Sequence, residues 1–228
     1  MDALLFFAYA AAYLALLAWG LALSARDRWW TAANLPLLVV VGLVYDNTVL
    51  ATGRYIGEGV LLEGLNVGRS WIHALITPLL VVFAWHVVVR TGAAWARAPW
   101  GAICAVAAAV ALMAMELTHV IGIELAAERE YGVLSYSATE PASGPPLMVL
   151  LVSLALLVAG LLVWRRQKWV WLLAGTSLIV IGSTVPIPVN SGAATNAFEL
   201  LLLTSILATK HFQDRARGTV LARPFIGA

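Results

Sequence analysis

The sequence predicts an all-α membrane protein, a bundle of seven transmembrane helices with its N-terminus outside and its C-terminus in the cytoplasm. Three observations predict it. The chain of 228 residues is 62% hydrophobic and only 11% charged, a balance that belongs to a polytopic membrane protein rather than to a soluble domain with a large core. Seven apolar runs are long enough to cross about 30 Å of hydrocarbon. The basic residues are divided unequally between the loops that join those runs.

The runs fall near residues 3–24, 31–52, 71–90, 98–122, 146–164, 169–186 and 191–210, in one transmembrane domain over 1–228 with a short cytoplasmic tail at 211–228. The first, "MDALLFFAYAAAYLALLAWGLALSARDR", has no Lys or Arg before Arg26. It therefore reads as an uncleaved first span and not as a signal peptide. The stretches "RDRWW", "RTGAAWARAPW", "EPASGPP", "RRQKW" and "PIPVNSG" punctuate the later boundaries with the turn residues and charges expected of loops.

Eleven of the 14 Lys and Arg residues lie on one side: Arg26, Arg28, Arg90, Arg97, Arg165, Arg166, Lys168, Lys210, Arg215, Arg217 and Arg223. Only Arg54, Arg69 and Arg129 lie on the other. The positive-inside rule makes the first side cytoplasmic. Trp29, Trp30, Trp95, Trp100, Trp164, Trp169 and Trp171 cluster there too, as an interfacial aromatic belt does. The expected location is a bacterial plasma membrane. A net charge of +2 gives no reason to expect a nucleic-acid partner. Cys104 is the single cysteine, so one chain can build neither a disulfide nor a thiolate metal site. No internal repeat of useful length supports an inverted-repeat transporter. The oligomeric state is not legible.

Polar groups inside the spans carry the functional reading. "VVVGLVYDNTVLATG" in the second span holds Asp46 and Asn47, and a buried charge there costs about 2.5–3.5 kcal/mol even on lenient scales. At about 1.5 Å of rise per residue, Asp46 is roughly 10 Å below the outer end of its helix. Glu116 in "LMAMELTHVIG" is about 9 Å down, with His119 one turn above it on the same face. His73 in "SWIHALITPLL" stands near the outer end of the third span. In "NSGAATNAFELLLL" of the last span, Asn196 is about 9 Å down and Glu199 one turn deeper. Four helices thus bring carboxylates, imidazoles and amides to one layer in the outer half. Further in, the sequence offers only hydroxyls, Thr176, Ser177, Thr204 and Ser205, and His86 near the interface. A transport pathway needs polar groups through the whole thickness, so the expectation is a pocket closed at its bottom.

Two outer loops border this layer. Residues 53–70 include Glu58 and Glu63, and Arg54 with Glu58 has the i, i+4 spacing of a salt-bridged helical turn. The alternative is a cap that folds over the pocket and supplies Glu58 or Glu63. Residues 123–145 are acidic and carry Tyr131 and Tyr136, as a solvated face or a lid.

These groups point to acid–base chemistry. Desolvation disfavours the charged form of a carboxyl, so a carboxyl in a dry pocket holds a proton at neutral pH and can serve as a general acid. The candidate acids and bases are Asp46, Glu116 and Glu199, with Glu58 and Glu63 from the loop. Tyr45, Asn47, His73, His119, Asn196 and Phe198 are candidates to bind and orient a substrate. The aromatic faces of Tyr13, Tyr45 and Phe198 suit a cationic intermediate. Membrane lipids are the expected neighbours and a hydrophobic, lipid-like or isoprenoid molecule the expected substrate.

Neither metal nor cofactor is expected on this reading. Glu116-x-x-His119 is half of the di-metal signature of helical bundles, and there is no second copy. A single zinc held by His119, His73 and a carboxylate is the basis of an alternative, a metal-dependent lipid hydrolase. The last span lacks the two histidines of seven-helix hydrolases related to alkaline ceramidases and adiponectin receptors. A retinal protein needs a lysine within the bundle, whereas Lys168 and Lys210 lie at its cytoplasmic ends. A proton- or ion-coupled transporter is the other alternative.

With seven helices, buried acids, this length and no "DDxxD", the chain resembles the small integral-membrane terpene cyclases that make meroterpenoids. The resemblance covers architecture and acid chemistry over most of the chain and assigns no residue. It implies proton-initiated cyclisation without a metal-binding aspartate-rich motif.

Overall fold

The computed structural model describes residues 2–25, 31–139, 146–184 and 192–221. Arg26, Arg28, Trp29, Trp30 and Arg223, all used above to orient the chain, lie outside them. So do most of "EPASGPP" and of "PIPVNSG".

The described chain is predominantly helical. Helix α1 (Asp2–Ser24) is joined to the start of α2 by the Ser24 hydroxyl, which donates to Asn34 Oδ1 at 2.7 Å. A single 3₁₀ turn, Ala32–Asn34, leads into α2 (Leu35–Ile56). Pro36 stands in the first turn of α2, where its missing N–H costs nothing. Helix α3 (Val60–Ile76) and helix α4 (Leu79–Arg90) follow, interrupted at Thr77–Pro78 because the proline cannot donate to the turn before it. A four-residue α5 (Ala94–Arg97) precedes α6 (Pro99–Val120). The last helices are α7 (Leu147–Gln167), α8 (Trp171–Thr184) and α9 (Gly192–Leu221).

Among the described residues, six helical stretches are long and apolar enough to cross a membrane: Asp2–Ser24, Ala32–Ile56, Val60–Arg90, Pro99–Val120, Leu147–Gln167 and Gly192–Ala216. Helix α8 is apolar but shorter. Four features depart from the sequence reading. Residues 53–70 are not a loop: α2 continues to Ile56, and after the Gly57-Glu58-Gly59 turn α3 begins at Val60. Both glycines have positive φ, +82° and +149°, which lets the chain reverse within three residues. The third span is therefore a 31-residue broken helix. Helix α9 continues through residues 211–221, placed above in a tail.

The fourth departure is that the fold is not purely helical. Residues 125–138 form an antiparallel hairpin, β1 (Leu125–Glu130) with β2 (Val133–Ala138). Its two-residue turn, Tyr131–Gly132, has positive φ at both positions, +47° and +81°, the requirement of the tight turn that suits strand twist. Leu134 packs with Val49 and Leu62, and Val133 with Phe6, Leu50 and Ala193. Gly53 of α2 is in contact with the carbonyl of Leu134, so the hairpin lies directly against the helix backbone.

Helix α1 packs on α2 and α9, α3 on α2 and α6, and α4 on α6 and α7, while α8 lies between α7 and α9. The main core, including Tyr13, Val40, Phe83, Leu156, Leu203 and Leu207, occupies the middle of the bundle. At Gly160 an added Cβ would stand 2.7 Å from the backbone N of Leu173, which marks a close α7–α8 approach of the kind small residues permit in membranes.

Candidate functional site

The polar layer is assembled around an ion pair. Arg69 of α3 donates from Nε to Asp46 Oδ1 of α2 at 2.7 Å. Its Nη1 donates to Asn66 Oδ1 at 2.7 Å, and Asn66 Nδ2 donates in turn to the Leu62 carbonyl at 2.7 Å. Helical spacing sets this up: residues 62, 66, 69 and 73 recur at three or four positions and share one face of α3. Asp46 is tolerated because a guanidinium held by its own helix meets it, which offsets much of the cost of burying a carboxylate.

Two cavities adjoin this pair, and the pair lines both. The first, of about 400 Å³, is bordered by Asp46, Arg69, His73, Asn196 and Glu199, with Asp2, Glu128 and Glu130 also in its lining. The second, of about 430 Å³, is bordered by Asp46, Arg69, His73, Glu116 and His119, with Tyr136 of the hairpin. The hairpin stands between them. Strand alternation directs Glu128, Glu130 and Ser135 to the first cavity, while Leu125, Tyr136 and Ala138 line the second. Gly59 N–H donates to the Tyr136 hydroxyl at 3.0 Å. Residues 123–138 thus border both cavities.

A third, smaller space of about 90 Å³ lies against His73 and Glu199 and is otherwise lined mainly by apolar side chains such as Leu80, Val152 and Leu203. His73 therefore borders all three spaces, and Glu199 borders the first and the third. The His73 ring Nδ1 is 3.2 Å from the Thr77 hydroxyl. Among the described residues, no hydrogen bond or ion pair engages the Glu199 carboxylate. Deeper along α9, Leu203, Ile206 and Leu207 are fully buried in the main core.

The structure thus brings Asp46, Glu116, Glu199, His73, His119 and Asn196 to one pair of adjoining cavities, and adds Arg69. It uses the other sequence candidates differently. Glu58 does not bond Arg54; it accepts from Arg129 of β1 at 2.9 Å in an exposed pair, and Arg54 lies over the Tyr55 ring. Glu63 sits in the first turn of α3 and lines none of these cavities. Tyr45 donates to the Leu65 carbonyl at 2.9 Å, within the α2–α3 contact. Asn47 donates back to Leu43 of its own helix. Phe198 packs on Gly182 of α8. Tyr13 is buried, its hydroxyl donating to the Asn196 carbonyl at 3.2 Å.

Sequence reasoning missed three features. Arg69 was placed in a loop, although its spacing from Asn66 and His73 is helical. Glu128 and Glu130 of the hairpin add, with Asp2 and Asp46, carboxylates to the lining of the first cavity, where Arg69 is the one guanidinium among the described residues. At the opposite end of the bundle, Asp214 of α9 pairs with Arg90 at 2.6 Å and with Lys210 at 2.7 Å. Their side chains are only 13%, 8% and 1% exposed. Gln213 adds a bond to Gln167 at 2.9 Å, so residues assigned to a tail lock α9 to α4 and α7.

Chemically, the first cavity suits a neutral or cationic species and repels an anion. Among the described residues, no three His, Cys, Asp or Glu side chains are gathered closely enough to hold a metal ion. No protein-family model matches the chain, and no match is found among curated proteins.

Proposed function

We propose that this chain is a membrane enzyme that performs acid–base chemistry on a neutral, lipid-like isoprenoid, namely proton-initiated cyclisation. The observation that carries the reading is Glu199. Its carboxyl is half-buried, without a hydrogen-bonding or ionic partner among the described residues, and set where a polar mouth meets an apolar recess that also borders His73. Asp46, bound to Arg69, is assigned the supporting charge, and Glu199 is assigned the proton donor.

In this scheme the Glu199 carboxyl gives its proton to one carbon of an alkene, whose π pair forms the new C–H bond. The cation left on the neighbouring carbon is attacked by the π pair of a second alkene, which closes a ring. His73 then takes a proton from the carbon beside the final cation, and the released C–H pair makes the product alkene. Substrate and product are isomers, and the site resets when His73 releases its proton to water and Glu199 takes one from water through the polar mouth of the first cavity. The carboxylates of the lid favour the cationic stages electrostatically. A diphosphate head is disfavoured by the same charges, which separates this chemistry from ionisation of a prenyl diphosphate.

The bundle is oriented with α1 starting outside and α9 ending in the cytoplasm of a bacterial plasma membrane, α8 serving as the seventh crossing. The reading is tested by mass spectrometry of lipids carried by the purified protein and by Glu199→Gln and His73→Gln. A lipid found cyclised with wild type and linear with both variants is the expected result. An identical lipid profile in all three refutes the enzyme reading.

A further inference from the structure

Asn196 carries a hydrogen-bond acceptor that the protein itself does not use. Its Nδ2 donates to the Gly192 carbonyl at 3.1 Å, and its backbone carbonyl accepts from the Tyr13 hydroxyl at 3.2 Å. Its Oδ1 is buried with no partner among the described residues. The residue is only 8% exposed, yet it borders the first cavity. We infer that this amide oxygen receives the head group of the substrate and that the head is a hydroxyl, which makes the substrate a linear isoprenoid alcohol; the inference rests on the reading above and names the substrate class within it.

Three observations carry it. First, a buried carbonyl oxygen without a donor is costly, and here a donor has a space to come from, a cavity of about 400 Å³. Second, the lining is rich in acceptors and its donors are largely engaged. Asp2, Asp46, Glu128, Glu130 and Glu199 border the cavity, whereas Arg69 is bound to Asp46 and Asn66, and the Ser137 hydroxyl donates to Glu128 at 2.6 Å. A head that only accepts, such as a ketone, an ester or an ether, finds no partner at Asn196 Oδ1, and a phosphate is repelled. A hydroxyl is favoured over an ammonium because the receiving group is a neutral amide in a buried position, where a charge costs far more to desolvate than an O–H. Third, the placement suits the chemistry. Glu199 is three residues on from Asn196, on the same face and about 4.5 Å further along the helix axis. It borders both this cavity and the apolar recess. A hydroxyl held at Asn196 therefore sets the chain that follows it beside the Glu199 carboxyl.

The experiment uses full-length protein in nanodiscs and measures equilibrium binding of a linear C20 isoprenoid alcohol and of its methyl ether, which keeps the oxygen and the chain but cannot donate. Binding is read in wild type, in Asn196→Leu and in Glu199→Gln, which under the reading above leaves the ligand unreacted. The alcohol is expected to bind wild type and Glu199→Gln about tenfold more tightly than the ether. Asn196→Leu is expected to remove that preference by weakening the alcohol about tenfold, with the ether unchanged. Equal binding of alcohol and ether, a preference that survives Asn196→Leu, or an equal loss for both ligands, as a merely structural role gives, overturns the inference. So does tighter binding of the corresponding C20 amine than of the alcohol. The alcohol–ether comparison in wild type needs no substitution, so it decides the matter even where Asn196→Leu fails to fold.

Product analysis by mass spectrometry on the wild-type samples separates the two claims. Cyclic product formed equally from the alcohol and the ether refutes the hydroxyl head and leaves cyclisation standing. An Asn196-dependent preference for the alcohol with no cyclic product refutes cyclisation and leaves the hydroxyl site standing.

Discussion

Replacing Arg69 by Met removes the cation from Asp46 while keeping much of the aliphatic bulk that packs between α2 and α3. The side chains of Arg69 and Asp46 are 22% and 24% exposed, so the pair lies between two measured regimes. Exposed pairs contribute about 0–1 kcal/mol, whereas removing one member of a fully buried pair costs about 3–5 kcal/mol because the other charge is stranded. The partial exposure, a bond of 2.7 Å and the additional loss of the Asn66 bond place Arg69→Met at about 2–3 kcal/mol. Asp46→Asn is expected to cost less, since it leaves a flexible cation that can reach water. The double variant is expected to be more stable than the sum of the two losses, with a coupling of about 1–2 kcal/mol. The assay is reversible unfolding in mixed micelles across the four proteins of the cycle. A coupling indistinguishable from zero refutes the claim that Arg69 is what makes Asp46 tolerable in the bundle.

Other expectations follow from the same geometry. Asp214→Asn leaves Arg90 and Lys210 buried without their shared carboxylate and is expected to cost about 3–5 kcal/mol in the same unfolding assay. Arg129→Ala breaks a pair whose partners are 70% and 52% exposed, and its effect is expected to stay below about 1 kcal/mol. Gly160→Ala drives a methyl into the backbone of Leu173 and is expected to destabilise the protein by about 1–3 kcal/mol. Gly53→Ala pushes on the Leu134 carbonyl and is expected to raise hydrogen exchange in residues 125–138 with little change in the bundle.

Much of this layout is legible because membrane chemistry restricts the choices. Every backbone polar group in hydrocarbon must be satisfied within a helix, so apolar runs translate directly into α1, α2, α6 and α7. Depth also follows from helical rise, which is why Asp46, Glu116, His119 and Glu199 are found at adjoining cavities. What hydropathy cannot reach is the outer half of α3. Residues 60–70 mix apolar side chains with Glu63, Asn66 and Arg69, and only the recurrence of 62, 66, 69 and 73 on one face betrays a helix. The hairpin was obscured by Tyr131, a residue that rarely takes positive φ, in place of the Asn or Asp that ordinarily marks such a turn. Asp214 was lost because a charged stretch after an apolar run reads as a tail. Its burial depends on Arg90, which lies far away in sequence.

The same contrast separates the carboxylates. Sequence places Asp46, Glu116 and Glu199 at similar depth and cannot say which has a partner. Partner choice depends on which neighbouring helix points a cation inward, and α3 does so at Arg69. That tertiary fact gives Asp46 a cationic partner and, among the described residues, leaves Glu199 without one.

The most direct test of the proposed chemistry is solvent deuterium incorporation. Membranes containing wild type or Glu199→Gln are supplied with the linear isoprenoid in D₂O, and the extracted lipids are examined by mass spectrometry. Proton-initiated cyclisation predicts a cyclic product carrying one non-exchangeable, carbon-bound deuterium with wild type and none with the variant. A cyclic product free of deuterium, or equal labelling with the variant, contradicts the assignment of Glu199 as the acid that starts the reaction.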